Sequence, residues 1–129
     1  MLAAPDLRGM EELTIVLGAS EKPDRYANMA ARRLMAYGHA VMCIGRRPGR
    51  IGDLPIHTEI PAGTRAHTVT LYLSAANQSA WRERLLALKP QRVIFNPGAE
   101  NPEFARELES AGTETVDACT LVLLATGEY

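Results

Sequence analysis

Leu13-Thr-Ile-Val-Leu-Gly-Ala-Ser-Glu-Lys-Pro-Asp-Arg-Tyr-Ala-Asn-Met-Ala-Ala-Arg-Arg-Leu34 is the stretch on which the fold turns. Leu13 to Leu17 is apolar on both faces apart from one threonine, as suits a central parallel strand covered by helices. Gly18 then supplies a tight turn. A polar loop with Ser20, Lys22 and Arg25 follows. Beyond it Ala27, Ala30, Ala31, Leu34 and Tyr37 recur at helical spacing, with Arg32 and Arg33 on the opposite, solvated side. Strand, turn and helix in that order aim backbone N–H groups, a helix N-terminus and two cations at something negatively charged. The expected ligand carries phosphate.

Working outward, Gly38 stops the helix, and Ala40 to Ile44 is a second apolar strand. A strand, a helix and a strand in so short a span form a βαβ unit, whose right-handed crossover makes the strands parallel. Gly45 to Gly63 is irregular, with room for a short edge strand around Pro55 to Thr58, where proline is tolerated. Thr68 to Leu73 alternates as a strand does. Asn77 or Ser79 is placed to cap a helix with Trp81, Leu85 and Leu88 on one face. Pro90 ends that helix, and Arg92 to Phe95 is a fourth core strand. Asn96 to Asn101 turns into a helix with Phe104, Leu108 and Ala111 inward and Gly112 at its end. Thr113 to Asp117 is a last strand, followed by a short apolar tail through Leu124. Residues 1–12 read as a polar, loosely attached lead-in.

Strands alternating with helices predict one α/β domain over residues 1–129: a three-layer, doubly wound, mostly parallel sheet of five to six strands. In such sheets ligands bind beyond the carboxyl ends of the strands, where the strand order reverses. The glycine-rich or polar turns 18–25, 45–52, 74–77 and 96–101 all follow strands, so they converge on that one edge.

Composition narrows the function classes. Apolar residues make up 47 % of the chain and charged residues 22 %, the balance of an ordinary globular protein. The net charge of −1 excludes a generally basic protein that coats nucleic acid. The longest apolar run, Leu121 to Ala125, falls far short of the ~20 residues that span a bilayer. No signal peptide is read at the N-terminus, because no charged region precedes an apolar one. Cys43 and Cys119 lack zinc-like or redox spacing and read as buried free thiols, which points to a cytoplasmic location. Charge is also segregated. Residues 18–50 hold seven cations against Glu21 and Asp24, a balance of +5, whereas residues 97–129 hold seven acids against Arg106, a balance of −6. That focuses an anion-attracting field on the first region, although two solvated faces would give the same counts.

The turn itself is neither of the two common phosphate motifs. A dinucleotide fingerprint would need glycines where Ser20 and Pro23 stand, and no G-x-x-x-x-G-K occurs. Ser20, Lys22 and Arg25 ahead of a helix nevertheless suit a pyrophosphate that needs several donors at once. After the second strand, where NAD-binding proteins place an acid, the chain has Ile44-Gly-Arg-Arg47. Arginines there suit a ribose bearing its own phosphate, as in NADP or coenzyme A, unless they are solvated loop charges. None of His39, His57 and His67 pairs by spacing with a cysteine, serine or carboxylate, so neither a metal site nor a triad is read. Cys119 is the one candidate nucleophile, and a packed thiol is the plainer reading of it. Trp81 and Phe104 fit helix stripes, and Glu100 and Glu103 suit a helix start.

Together these stretches resemble a known family. Val16-Leu-Gly-Ala-Ser-Glu-Lys-Pro-Asp-Arg-Tyr26, Tyr37-Gly-His-Ala-Val41, Ile44-Gly-Arg-Arg47, Val93-Ile-Phe-Asn-Pro-Gly-Ala-Glu-Asn101 and Ala118-Cys-Thr-Leu-Val122 are similar to the small, single-domain coenzyme A-binding proteins. These are Rossmann-like and related to the nucleotide-binding domain of succinyl-CoA ligase. The resemblance implies a module that binds coenzyme A or an acyl-CoA at the carboxyl edge of its sheet, with no established reaction. It implies Gly18, Ala19 and Ser20 near the pyrophosphate, beside Lys22, Arg25 and Tyr26. Gly45, Arg46 and Arg47 would lie near the adenosine end and its 3′-phosphate. Ser74, Asn96, Pro97 and Gly98 would border the pocket from the other side. The family often has a serine after the tyrosine, where this chain has Ala27. The alternative reading is an enzyme or enzyme subunit, either NADP-binding or handling acyl-CoA through Cys119.

Overall fold

Each central strand is a run of four residues buried on both faces, and that double burial is what makes the sheet the middle of three layers. The computed structural model describes residues 12–129, so the lead-in expected over residues 1–12 lies, apart from Glu12, outside the described residues. The elements run β1 (Thr14–Leu17), α1 (Tyr26–Ala36), β2 (Val41–Ile44), β3 (Gly49–Ile51), β4 (Leu54–His57), β5 (Thr68–Leu71), α2 (Ala75–Gln78), α3 (Arg82–Leu88), β6 (Arg92–Phe95), α4 (Pro102–Ser110), β7 (Glu114–Asp117) and α5 (Thr120–Ala125). The sheet order is β3-β4-β2-β1-β5-β6-β7. Every pairing is parallel except β3 with β4. Strand order reverses between β1 and β5, where Thr14 pairs with Val41 on one side and Thr68 on the other.

The period-two alternation of the strands sorts the core into two halves. Leu13, Ile15, Leu17, Val69, Leu71, Val93 and Phe95 face a layer that includes Leu85 of α3 and Phe104 and Leu108 of α4. Phe95 meets Phe104 edge to face, with ring centroids 6.2 Å apart. Val16, Val41 and Cys43 point the other way, against Ala27, Ala31 and Leu34 of α1 and Leu124 of α5. Alanines at 27 and 31 let α1 approach the sheet closely, while Arg32 and Arg33 stay on its exposed side.

The architecture is the doubly wound, mostly parallel α/β arrangement expected, with three local differences. Among the described residues the sheet has seven strands rather than five or six, because Gly49–Ile51 folds back antiparallel on β4 through the turn at Gly52 and Asp53. The helix after β5 starts at Ala75, so Ser74 takes the N-cap position; a 3-10 turn, Ser79–Trp81, joins it to α3. Neither Asn77 nor Ser79 is its cap. The apolar tail is a helix, α5, held to the sheet from an unexpected direction.

That hold is Asn96. Its side chain, 1 % exposed, donates to Thr70 Oγ1 at 2.7 Å and to the Leu71 carbonyl at 2.9 Å, and accepts from the Thr120 amide at 2.9 Å. Thr70 and Thr120 also share a hydroxyl contact of 2.7 Å. One buried amide thus joins β5, β6 and the start of α5, and removing it costs three hydrogen bonds and leaves the Thr120 amide without its acceptor. Asn96→Ala should destabilise the fold by roughly 2–4 kcal/mol, read from urea unfolding followed by circular dichroism.

Candidate functional site

The turn after β1 is built by two close approaches. Gly18 has φ +99°, and a β-carbon there would lie 3.1 Å from the backbone of Tyr72 at the end of β5. A β-carbon at Gly45 would lie 2.4 Å from the Ala19 carbonyl oxygen. Glycine at both positions lets the β1 turn nest between its two neighbours. The Gly18 and Ala19 amides both donate to the Ile44 carbonyl at 2.9 Å, so they are consumed in holding the turn. Open donors lie further on. Arg25 occupies the N-cap position of α1 without a side-chain cap, and no acid stands in the first turn. The first amides of that helix therefore present their partial positive charge outward.

Beyond this turn opens a cavity of about 640 Å³ at the carboxyl edge of the sheet, across the point where strand order reverses. Gly18, Ala19, Ser20, Lys22, Arg25 and Tyr26 form one wall, and Arg46 and Arg47 close it on the β2 side. Ser74, Pro97 and Gly98 lie opposite, with Ile56, Tyr72, Leu73 and Ala99 supplying apolar surface. Gly45 and Asn96 do not line it: Gly45 is packed beneath Ala19, and Asn96 is the buried tie described above. Lys22, Arg25, Arg46 and Arg47 are exposed, and none has an ion-pair partner among the described residues. By contrast Arg82 grips Glu107, and Arg84 pairs with Glu59. Four cations without an ion-pair partner among the described residues thus meet at the cavity, while Arg33, Arg65, Lys89 and Arg106, also unpaired there, lie away from it. Tyr26 stands 68 % exposed at its mouth, a bare aromatic face beside the helix N-terminus.

Three residues that motif reading passes over shape this cavity. Asn28, buried in α1, donates to the Ser20 carbonyl at 2.8 Å and accepts from Arg32 Nε at 2.8 Å. Arg32 also reaches the Pro23 carbonyl at 3.1 Å, so it braces the loop rather than standing free in solvent. Gln78, 1 % exposed, donates to the carbonyls of Leu73 at 2.9 Å and Ala99 at 2.7 Å, tying together the loops after β5 and β6. The only advance signal was the four-residue spacing of Asn28 and Arg32.

The thiols are separate from this site. Cys43 and Cys119 are free; Cys43 is buried in β2 and Cys119 is half-buried at the start of α5. Burial pushes the Cys43 thiol up to about 12, and burial likewise pushes the Tyr72 phenol to about 12. Among the described residues no group of histidine, cysteine and carboxylate side chains could hold a metal. No helix there is long and apolar enough to cross a membrane.

The cavity thus lies at the switch point of a doubly wound α/β domain, where such sheets bind their ligands, and cations without ion-pair partners among the described residues rim it. The CoA binding domain family matches residues 13–125, and the chain belongs to it. A crystal structure described as that of an uncharacterized protein is 42 % identical, with a TM-score of 0.86 over 92 % of this chain and 98 % of that one. A Thermus thermophilus protein, cell-free ID.343, is 22 % identical with a TM-score of 0.76, covering 92 % of this chain and 90 % of that chain. The dinucleotide-forming acetyl-coenzyme A synthetase 1 of Ca. Korarchaeum cryptofilum, solved with phosphate and ADP, aligns at 15 % identity and a TM-score of 0.70. It matches 83 % of this chain and 25 % of its own. These last two likenesses are of fold. Comparison with curated proteins finds no match.

Cys43 should resist alkylation. Iodoacetamide at pH 8 should modify no thiol but Cys119 in the folded protein, as read by peptide mass spectrometry, with Cys43 reacting only after denaturation. Because folding raises its pKa above that of the unfolded chain, Cys43 favours the fold fully below pH 9 and progressively less towards about 12. Thermal midpoints should therefore fall as pH rises above 9.

Proposed function

We propose that this protein binds coenzyme A or an acyl-CoA at the carboxyl edge of its sheet, as a module without catalytic machinery of its own. The observation that carries the proposal is the gathering of four unpaired cations with an uncapped helix N-terminus around one cavity. Membership of the CoA binding domain family supports the choice among phosphate-bearing nucleotides.

In this reading the pyrophosphate lies over the N-terminus of α1, where Ser20, Lys22 and Arg25 add a hydroxyl and two charges to the open amides. Gly18 and Ala19 contribute by close approach rather than by their amides, which the Ile44 carbonyl already takes. Arg46 and Arg47 face the 3′-phosphate on the adenosine ribose, and Tyr26 offers a surface to the base. The pantetheine arm then runs towards Ser74, Pro97 and Gly98, along the wall supplied by Leu73 and Ala99. Gly45 and Asn96 act from beneath, as supports for the loops that meet the ligand. We infer a cytoplasmic location for such a module, where CoA is available.

Isothermal titration with coenzyme A, NADP and NAD tests the assignment. Coenzyme A should give a saturating signal; saturation by NADP with none from coenzyme A would overturn the proposal in favour of the NADP-binding alternative. Arg25→Ala and Arg46→Ala should each weaken coenzyme A by about tenfold, or ~1.4 kcal/mol. With 3′-dephospho-CoA the Arg46→Ala penalty should vanish while that of Arg25→Ala persists. Undiminished affinity in both variants would remove the phosphate placement.

A further inference from the structure

Glu21 is out of place in a cationic cavity that is suited to an anion. Its carboxylate would repel phosphate, yet it stands between Ser20 and Lys22 on the cavity wall. Its contacts explain it. Glu21 Oε2 accepts the Arg50 amide at 3.0 Å, reaching from the β1 loop to the start of β3. A β-carbon on Gly49 would lie 2.4 Å from Glu21 Cδ and 2.5 Å from its Cγ, so the side chain lies flat against bare backbone. The Arg50 side chain turns away, towards the Asp53 carbonyl.

The segment between is the one that bears Arg46 and Arg47. At its first end, backbone bonds fix it: Ile44 accepts the Gly18 and Ala19 amides, and the Gly45 amide donates to His57 at 2.8 Å. At its far end the tie to the β1 loop is Glu21. We propose that Glu21 is a positioning residue, which spends its charge on the Arg50 amide to hold the Arg46–Arg47 loop against the phosphate-facing turn. This rests on the reading of the cavity as a coenzyme A site. The carboxylate gains a charge-assisted bond to a backbone donor, and the loop gains order before any ligand arrives.

Two roles for Glu21 predict opposite signs. As an unattached negative charge beside phosphate, it would weaken binding, and Glu21→Ala would tighten it. As a latch, its loss would lower the fraction of molecules with the arginine loop in place, and Glu21→Ala would weaken binding. The experiment measures coenzyme A affinity by calorimetry and Arg50 amide exchange by NMR in the wild type, Glu21→Ala, Glu21→Gln and Gly49→Ala. Glutamine keeps the accepting oxygen, whereas alanine at 49 evicts the flexible Glu21 side chain without removing its charge.

Glu21→Ala and Gly49→Ala should each lower affinity about fivefold and speed Arg50 exchange, while Glu21→Gln stays within about twofold of wild type. Tighter binding by Glu21→Ala, equal losses in Glu21→Ala and Glu21→Gln, or unaltered Arg50 exchange in Glu21→Ala would each overturn the proposal. Failure of the wild type to take up coenzyme A is distinguishable, because Arg50 exchange then still decides whether the latch exists.

Discussion

The β1 turn approaches its neighbours so closely that a side chain at position 18 would press on Tyr72, and one at position 45 would strike Ala19. Those contacts set the depth of the cavity floor. With both positions bare, the first loop lies low between β2 and β5, and the N-terminus of α1 comes out above the strand ends. The Ile44 carbonyl locks this arrangement by accepting two amides at once. The ligand-facing elements are therefore positioned by backbone geometry at the sheet, and side chains add charge to a frame already in place.

Around that frame each loop is tied to another. Asn28 and Arg32 hold the first loop from its own helix, and Gln78 joins the loops after β5 and β6. Asn96 carries the β5–β6 pair through to α5. These side chains are amides or a guanidinium that bond backbone carbonyls, so their energetic weight lies in what would be left unpaired without them. The outcome is a site whose charged residues can stay extended into solvent while their loops are ordered.

The central sheet was legible because doubly buried strands such as Thr14–Leu17 and Val41–Ile44 cannot hide their composition. The β3–β4 hairpin was harder to read: β3 is three residues long, half exposed and begins with glycine, although the Gly52-Asp53 turn offered a signal. The helix α5 has six residues, Thr120 to Ala125, too few to display helical periodicity. The cationic loops could be located from the strand ends they follow. Asn96 could not be separated from its neighbours Pro97 and Gly98, since its partners Thr70 and Thr120 lie far off in the chain. Gln78 was silent for the same reason, since its Ala99 partner lies in another loop, whereas Asn28 left only its four-residue spacing to Arg32 as a signal.

The register of β1 also fixes when the cavity can come into being. Its partner in β5 lies twice as far along the chain as its partner in β2, and closing the longer loop costs more entropy. During synthesis the β1-α1-β2 unit emerges with its arginines and its open helix end, while half of its central strand still lacks a neighbour. The wall formed by Ser74, Pro97 and Gly98 arrives later, and the Asn96 tie to α5 later still. The pocket is therefore complete only once both halves of the chain are present, and neither half contains it alone.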